Sequence, residues 1–383
     1  MDQGVNVKPE SLFDNQANIK VIGVGGAGGN AVNRMVEVGV AGVTFVSLNT
    51  DEQALEASRA NIRMQLGTGV TRGLGAGGDP EIGQRAAKES EKEIAELLAG
   101  TDMVFITAGM GGGTGTGGAP VVAQIARSLD ILTVGVVTKP FLFEGPRRKR
   151  QAEEGAARLR EHVDTLITVP NDKLVQFVEK KTTMQAAFKA ADDVLRQGVQ
   201  GISDIIYLPG LINVDFADVR SVLKEAGVAL MGMGRGIGEQ RARLAAQAAV
   251  SSPLIETNVE GATKLLVNIT AGRDFTIGEA HDAMEYIMQF ADPEEAEVYM
   301  GQVTRDGQEG EVYITLLAAG MPENARAAAR PNAVFTNTVP TDRPGVVAPQ
   351  PSTPQPTMPQ DIALDEVDVD IPAFLRRQKF GMN

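Results

Sequence analysis

Between residues 18 and 170, short β-branched apolar runs alternate with amphipathic stretches. The runs 19–24, 43–48, 103–108, 131–137 and 165–169 read as buried strands, and 62–65 as a shorter one. The segments between them, 30–38, 81–99, 120–129 and 151–162, read as helices. This alternation predicts an α/β fold whose parallel sheet is covered on both faces, a doubly wound arrangement. Residues 182–207 predict one long helix, because Phe188, Ala191, Val194, Leu195, Val199, Ile202, Ile205 and Ile206 keep a period between 3 and 4. Such a helix is roughly 35–40 Å long and can bury one face on each of two units. Gly198 and Gly201 inside it each cost about 1 kcal/mol, which implies close packing against another backbone or a weak point.

Beyond the long helix the order changes. Segments 215–225 and 239–251 read as helices, and 264–270, 297–304 and 311–317 as strands. The glycine-containing stretch 305–310 predicts a hairpin between the last two, hence an α+β unit with a mixed sheet. Residues 321–360 hold nine of the 19 prolines and predict an extended linker. An acidic stretch, 361–370, then leads into IPAFLRRQKF, whose Ile371, Phe374 and Leu375 suggest a docking peptide.

Composition narrows the chemistry. The absence of cysteine from all 383 residues excludes disulfides, zinc–thiolate sites, iron–sulfur clusters and cysteine nucleophiles. With only His162 and His281, which read as structural residues, a histidine-rich metal site or histidine-dependent triad is not expected. A formal charge of −13 disfavours nucleic acid, and the basic run 147–150 reads as a solvated helix start. No apolar run approaches the ~20 residues of a membrane span, and the first residues carry no apolar signal core, so a cytosolic protein without membrane insertion is expected. The 43 glycines follow no collagen period and must serve loops where backbone approaches backbone or ligand.

Those glycines concentrate at two strand-to-helix junctions. GVGGAGGN at 23–30 contains G-x-G-x-x-G, and its backbone N–H groups can converge on a phosphate at a helix N-terminus. A tight structural turn would use the same residues. GMGGGTGTGG at 109–118 again follows a strand, and seven of its ten residues are glycine. Two such loops on neighbouring strands of one parallel sheet would form facing phosphate cradles, with Thr114 and Thr116 adding hydroxyl donors. A third glycine loop, 73–80, could lid a terminal phosphate or be an ordinary surface turn. No G-x-x-x-x-G-K-[ST] is present, so this is not a P-loop enzyme.

GGAGGN, GGGTGTG, TKPFLFEG, NVDFADV and DVDIPAFLRRQ together resemble the tubulin/FtsZ superfamily, and its FtsZ branch in particular, over about 19–320 and at the terminal peptide. The resemblance implies a GTPase that binds GTP or GDP with Mg²⁺ carried on the nucleotide phosphates. It further implies head-to-tail polymerisation into protofilaments and a division ring at mid-cell beneath the inner membrane. Membrane-anchoring and regulatory division proteins would dock on the terminal peptide. The implied nucleotide ligands are Gly26, Ala27, Gly28, Gly29, Asn30, Gly77, Gly78, Gly113, Thr114, Gly115, Glu144, Arg148, Asn171, Phe188 and Asp192. The last two suit guanine: a carboxylate accepts its N1 and N2 protons, and a phenyl ring stacks on a purine. By pattern alone Phe188 reads as a core residue of the long helix. Which of Asp192 and Asp193 reads the base stays open.

Asn213, Asp215 and Asp218 are the implied catalytic group, reaching the nucleotide of the next subunit to position the attacking water. By residue type alone Asp215 reads as a helix cap. The implied domains are an N-terminal disordered extension 1–18, a GTP-binding domain 19–181, a central helix 182–207, a polymerisation and activation domain 208–320, a linker 321–360 and an adaptor-binding peptide 361–383. Two rivals remain. The G-x-G-x-x-G loop with Asp51 also fits a dinucleotide-dependent oxidoreductase, although hydride transfer needs no second cradle. A nucleotide-binding scaffold without hydrolysis would not need the acids 215 and 218.

Overall fold

A computed structural model describes residues 17–174, 182–208, 210–252 and 260–321. The calls on the N-terminal extension up to 16, the linker beyond 321 and the terminal peptide with Ile371, Phe374 and Leu375 lie outside the described residues.

Alternation along the first strand sets the layers. In β1 (Ile19–Val24), Ile19 and Val21 pack into one apolar layer, while Ile22 and Val24 pack into the other. β2 (Val43–Asn49), β3 (Ile62–Gln65), β4 (Met103–Gly109), β5 (Leu132–Lys139) and β6 (Thr165–Pro170) complete a parallel half-sheet in the order β3-β2-β1-β4-β5-β6. The sheet continues through β8 (Gly227–Ile237), β11 (Glu311–Ala319), β9 (Lys264–Ala271), β10 (Glu297–Thr304) and β7 (Gly210–Ile212). β8 meets β6 in parallel over only three residue pairs, after which parallel and antiparallel pairings mix.

The helices are α1 (Gly25–Val38), α2 (Glu52–Glu56), α3 (Thr68–Thr71), α4 (Pro80–Glu89), α5 (Glu91–Leu98), α6 (Thr114–Ser128), α7 (Pro146–Arg160), α8 (Asn171–Leu174), α9 (Met184–Tyr207), α10 (Phe216–Leu223), α11 (Arg241–Val250) and α12 (Ile277–Met288). α9 is the long helix, with Thr183 as its N-cap. Its buried Val194, Leu195, Val199, Ile202 and Ile205 share one apolar layer with Val21, Phe105 and Val134 on one side and Met231, Leu266 and Leu317 on the other. The two glycines fit that role. A Cβ on Gly198 would stand 3.1 Å from Met231 and 3.2 Å from Val136, and one on Gly201 would stand 2.7 Å from Thr315. Close packing explains both, though against side chains of neighbouring strands rather than against another backbone.

Several expectations need correction. The expected hairpin does not form: β10 runs parallel to β9, β11 runs antiparallel to β8 and β9, and so β9 separates them. Leu265, Leu266, Val267 and Ile269 of β9 are all buried, a two-faced burial that suits an interior strand. The helix at 81–99 is two helices that meet at Ser90. α1, α6 and α7 each begin about five residues earlier than their apolar patterns do, because the glycine or proline turn before each is already helical.

Besides the short elements α2, α3, α8 and β7, two long ones escaped the sequence reading. In β8 the glycines at 232, 234 and 236 disguise a strand. A Cβ on Gly234 would sit 1.9 Å from the Ala245 carbonyl oxygen, and one on Gly236 would sit 1.8 Å from that of Arg241, because α11 lies directly against the strand backbone. α12 had a legible start, the reciprocal capping box of Thr276 and Glu279.

Arg241 ties α11 to α12. It is 5% exposed, and its guanidinium donates to Glu279 at 2.6 Å and to Asp274 at 2.5 Å. Replacing Arg241 by methionine keeps the stem but leaves the half-buried Glu279 without its counter-charge. The expected loss is about 2–3 kcal/mol, below the range for fully buried pairs because Glu279 keeps some access to water. Urea unfolding should show a lower midpoint at an unchanged slope.

Candidate functional site

The strand order reverses between β1 and β4, which are parallel neighbours with Val24 opposite Ala108. Connections leave this point in opposite directions, so their loops diverge and open a crevice at the carboxyl edge of the sheet. Each of the two glycine-rich loops starts from one of these strands. They meet backbone to backbone: a Cβ on Gly25 would lie 2.8 Å from the Gly115 nitrogen, and Gly25 has φ +74°, a conformation that favours glycine.

The helices that follow are prepared for an anion. α1 begins after Val24 and α6 after Gly113, neither has a side-chain cap, and neither carries an acid in its first turn. By contrast, Asp51, Asp79, Thr183, Asp215 and Thr276 all cap their helices with side-chain oxygens. Two uncapped N-termini therefore face one crevice with N–H groups that no side chain satisfies.

Between them lies a cleft of about 310 Å³ lined by Gly26, Ala27, Gly113, Thr114, Gly115, Glu144, Arg148, Asn171, Phe188 and Asp192. These ten sequence-derived candidates are brought together. A Cβ on Gly26, or on Gly112, which also lines the cleft, would meet nothing within 4 Å, whereas one on Gly28 would collide with the Thr107 carbonyl oxygen at 2.4 Å. Gly28 is thus a packing glycine, and a Cβ on Gly29 would approach the Ser47 hydroxyl at 3.4 Å. Asn30 lines an adjoining groove with Asn33, Arg34 and Lys189, and Phe188 and Asp192 border both spaces. Gly77 and Gly78 do not line the cleft. Their loop abuts its wall, where a Cβ on Gly113 would meet Ala76 at 2.8 Å and Asp79 at 3.0 Å.

Sequence reasoning missed Thr138 and Pro140, which also line the cleft. Their signal was topological: β5 is the next strand after β4, so its carboxyl end opens on the same crevice.

The far end of the cleft is carboxylate and aromatic. Phe188 is 40% exposed, so its reading as a core residue is corrected. It stands edge-on to Phe141 and Phe143 at ring-centroid distances of 5.4 and 6.4 Å. Asp193 does not line the cleft: its carboxylate accepts from Arg196 at 2.7 Å and from Gln197 at 2.6 Å, with Arg34 at 3.5 Å. Burial alone would raise its pKa, but these partners outweigh burial and lower it below the usual carboxylate range. Asp192 lines the cleft, and burial, then the charge of Asp193, pushes its pKa up to about 7. Asn171 is buried, and its side-chain oxygen has no hydrogen-bond partner, an acceptor that a ligand N–H can satisfy. Glu144 is committed: it accepts from the Phe141 nitrogen at 2.9 Å and from the Arg148 guanidinium. Pro146 is the first residue of α7, which places Arg148 one turn from Glu144.

Asn213, Asp215 and Asp218 do not line the cleft. They sit where β7 passes into α10, beyond α9 in the chain. Asp215 accepts from the Asp218 nitrogen at 2.8 Å as the N-cap, and Asn213 accepts from the Gly210 nitrogen at 2.7 Å. Asp215 is exposed and Asp218 half-buried. Among the described residues no group of three or more His, Asp or Glu side chains is placed to hold a metal ion, and no helix is long and apolar enough to cross a membrane.

Comparison with known proteins agrees with this geometry. Residues 18–179 match the Tubulin/FtsZ family GTPase domain, and 227–322 match the FtsZ family C-terminal domain. An FtsZ dimer from M. jannaschii is 42% identical, with a TM-score of 0.77 over 82% of this chain and 93% of that one. A second M. jannaschii FtsZ structure gives 43% identity and a TM-score of 0.78 over the same shares. CetZ2 from Haloferax volcanii, in a GTPgS-bound protofilament, shares the fold at 22% identity and a TM-score of 0.68, over 82% of this chain and 96% of that one. Two matched family domains and 42% identity across most of the chain, on a cleft built where two glycine-rich helix starts meet, lead to one conclusion: the chain belongs to the FtsZ family of tubulin-like GTPases.

Proposed function

We propose that this GTPase assembles head to tail and hydrolyses GTP only where two copies meet. One observation carries the reading. Among the described residues lining the cleft, the carboxylates are Glu144, engaged by Arg148 and the Phe141 nitrogen, and Asp192, which also borders the adjoining groove of Asn30, Asn33 and Arg34. Neither is placed to prepare a water for a terminal phosphate, and the loop acids Asp215 and Asp218 stand outside the cleft. In this reading a neighbouring copy supplies them. Carboxylates repel phosphate and would weaken binding within one subunit, but they suit the orientation and deprotonation of a water. Mg²⁺ on the nucleotide phosphates would offset the charge gathered at such a junction. Gly26, Ala27 and Gly113–Gly115 hold the phosphates, Glu144 and Arg148 the ribose, and Asn171, Phe188 and Asp192 the base.

In the cell this activity would build a division ring at mid-cell and recruit division proteins through the segment 361–383, with the chain dividing as the sequence implied. Sedimentation tests the assembly: polymer should pellet with GTP and not with GDP. Phosphate release should show a threshold protein concentration and a cooperative rise above it. Specific activity independent of concentration would refute hydrolysis at a junction.

A further inference from the structure

We infer that Thr50, a residue outside the cleft, is a positioning residue that aims the Thr114 hydroxyl hydrogen at a nucleotide phosphate. The inference rests on the nucleotide reading of the cleft. Thr50 follows the last residue of β2 and is 0% exposed, and Thr114 opens α6 and lines the cleft. Their hydroxyl oxygens are 2.6 Å apart, close enough that one hydrogen lies between them.

Two hydroxyls that share one hydrogen must settle which donates. Thr50 has no water to turn to, and Thr114 is the one side-chain hydroxyl partner of its Oγ1 among the described residues. A buried hydroxyl hydrogen left unpaired is costly, so Thr50 donates and Thr114 accepts. Thr114 then has its own hydrogen to spare, and the open side available to it is the cleft. A threonine with a free choice of rotor would satisfy itself within the protein; this one is left with a donor for a ligand oxygen. Thr50 is itself held firmly, because its carbonyl oxygen accepts from the Gly75 nitrogen at 3.1 Å and from the Thr71 hydroxyl at 3.3 Å. The second hydroxyl of the loop does different work: Thr116 accepts from the Gly111 nitrogen at 2.8 Å and pins the loop itself.

The test is a mutant cycle read by displacement of a fluorescent GTP analogue with GTP, GDP and guanosine. Thr50→Val removes the hydroxyl and keeps the shape. It should weaken GTP and GDP by about 5- to 20-fold, part of the roughly 10- to 100-fold worth of one hydrogen bond to an anion, and leave guanosine unchanged. Thr50→Ser should bind like the parent. Thr114→Val, which deletes the donor itself, should lose at least as much as Thr50→Val, and the double variant should be no worse than Thr114→Val alone. If Thr50→Val fails to fold, Thr50→Ala carries the same comparison. Parent-like GTP binding by the hydroxyl-free variant overturns the inference. So does an equal loss of guanosine, which would mean general damage, or a double variant whose losses multiply. A parent protein that binds guanosine and GTP equally would instead reject the phosphate cradle itself.

Discussion

Replacing Asp218 by alanine should leave GTP affinity within twofold of the parent and lower turnover by about 10²–10³-fold, the scale of losing a group that handles the proton of an attacking water. The half-buried Asp218 carboxylate accepts no hydrogen bond from a described residue, so its removal breaks nothing within the subunit; the cap on α10 is made by Asp215. Asp215→Ala is a less clean probe, because it also deletes that cap at about 1 kcal/mol. Mixing sharpens the experiment. Gly112→Val should block the cleft without disturbing the fold, since a Cβ there meets nothing within 4 Å. Each variant alone should be inactive. Together, copies with an intact cleft can meet copies with intact acids, and phosphate release should recover to a sizeable fraction of the parent rate. No recovery in polymers shown to contain both variants would place the acids' action within one subunit.

That experiment depends on a division of labour that was only half legible in the sequence. The glycine loops pointed to the proposed phosphate end because glycine at a strand-to-helix junction lets backbone approach a ligand, although a tight turn uses the same residues. The strand order then made them neighbours, and only the structure, which starts the helices at Gly25 and Thr114, shows that neither has a side-chain cap or an acid in its first turn. The proposed base end was harder. Phe188 keeps the apolar period of α9, and nothing in that period distinguishes the buried turns from Phe188, near the start of the helix and 40% exposed. Asp192 and Asp193 are adjacent and chemically alike; only the positions of Arg34, Arg196 and Gln197 separate them. The hairpin expectation failed for a related reason. Adjacency in sequence is a good guide to pairing until a strand buried on both faces must lie between its neighbours. β8 hid because its glycines answer to the backbone of α11, a partner that local pattern does not reveal.

Nucleotide affinity should rise with pH and then level off near pH 7, because Asp192 must be ionised to accept two N–H groups from guanine, and burial holds its pKa at about 7 in the free protein. Below that value binding must first remove a proton. The limiting slope is a tenfold loss of affinity per pH unit, with up to one proton released on binding. Calorimetry in buffers of different ionisation enthalpy measures that proton directly. Asp192→Asn should abolish both the slope and the release, and weaken GTP by about 10–100-fold, since one acceptor oxygen remains and the amide NH₂ faces a guanine donor. The same substitution suits xanthine, which presents N1–H and a C2 carbonyl oxygen, an acceptor for that amide; XTP should therefore bind the variant better than GTP does. Stability of the nucleotide-free protein runs in the opposite sense. The native group stays protonated to about pH 7 while the unfolded one ionises near 3.8, so between those values the unfolded chain gains by releasing a proton and stability falls as pH rises. Asn at 192 lacks that term, and the free variant should melt higher than the parent at pH 8 although it binds GTP worse. A parent whose affinity is flat from pH 5.5 to 8 would mean that the base is read by some other group.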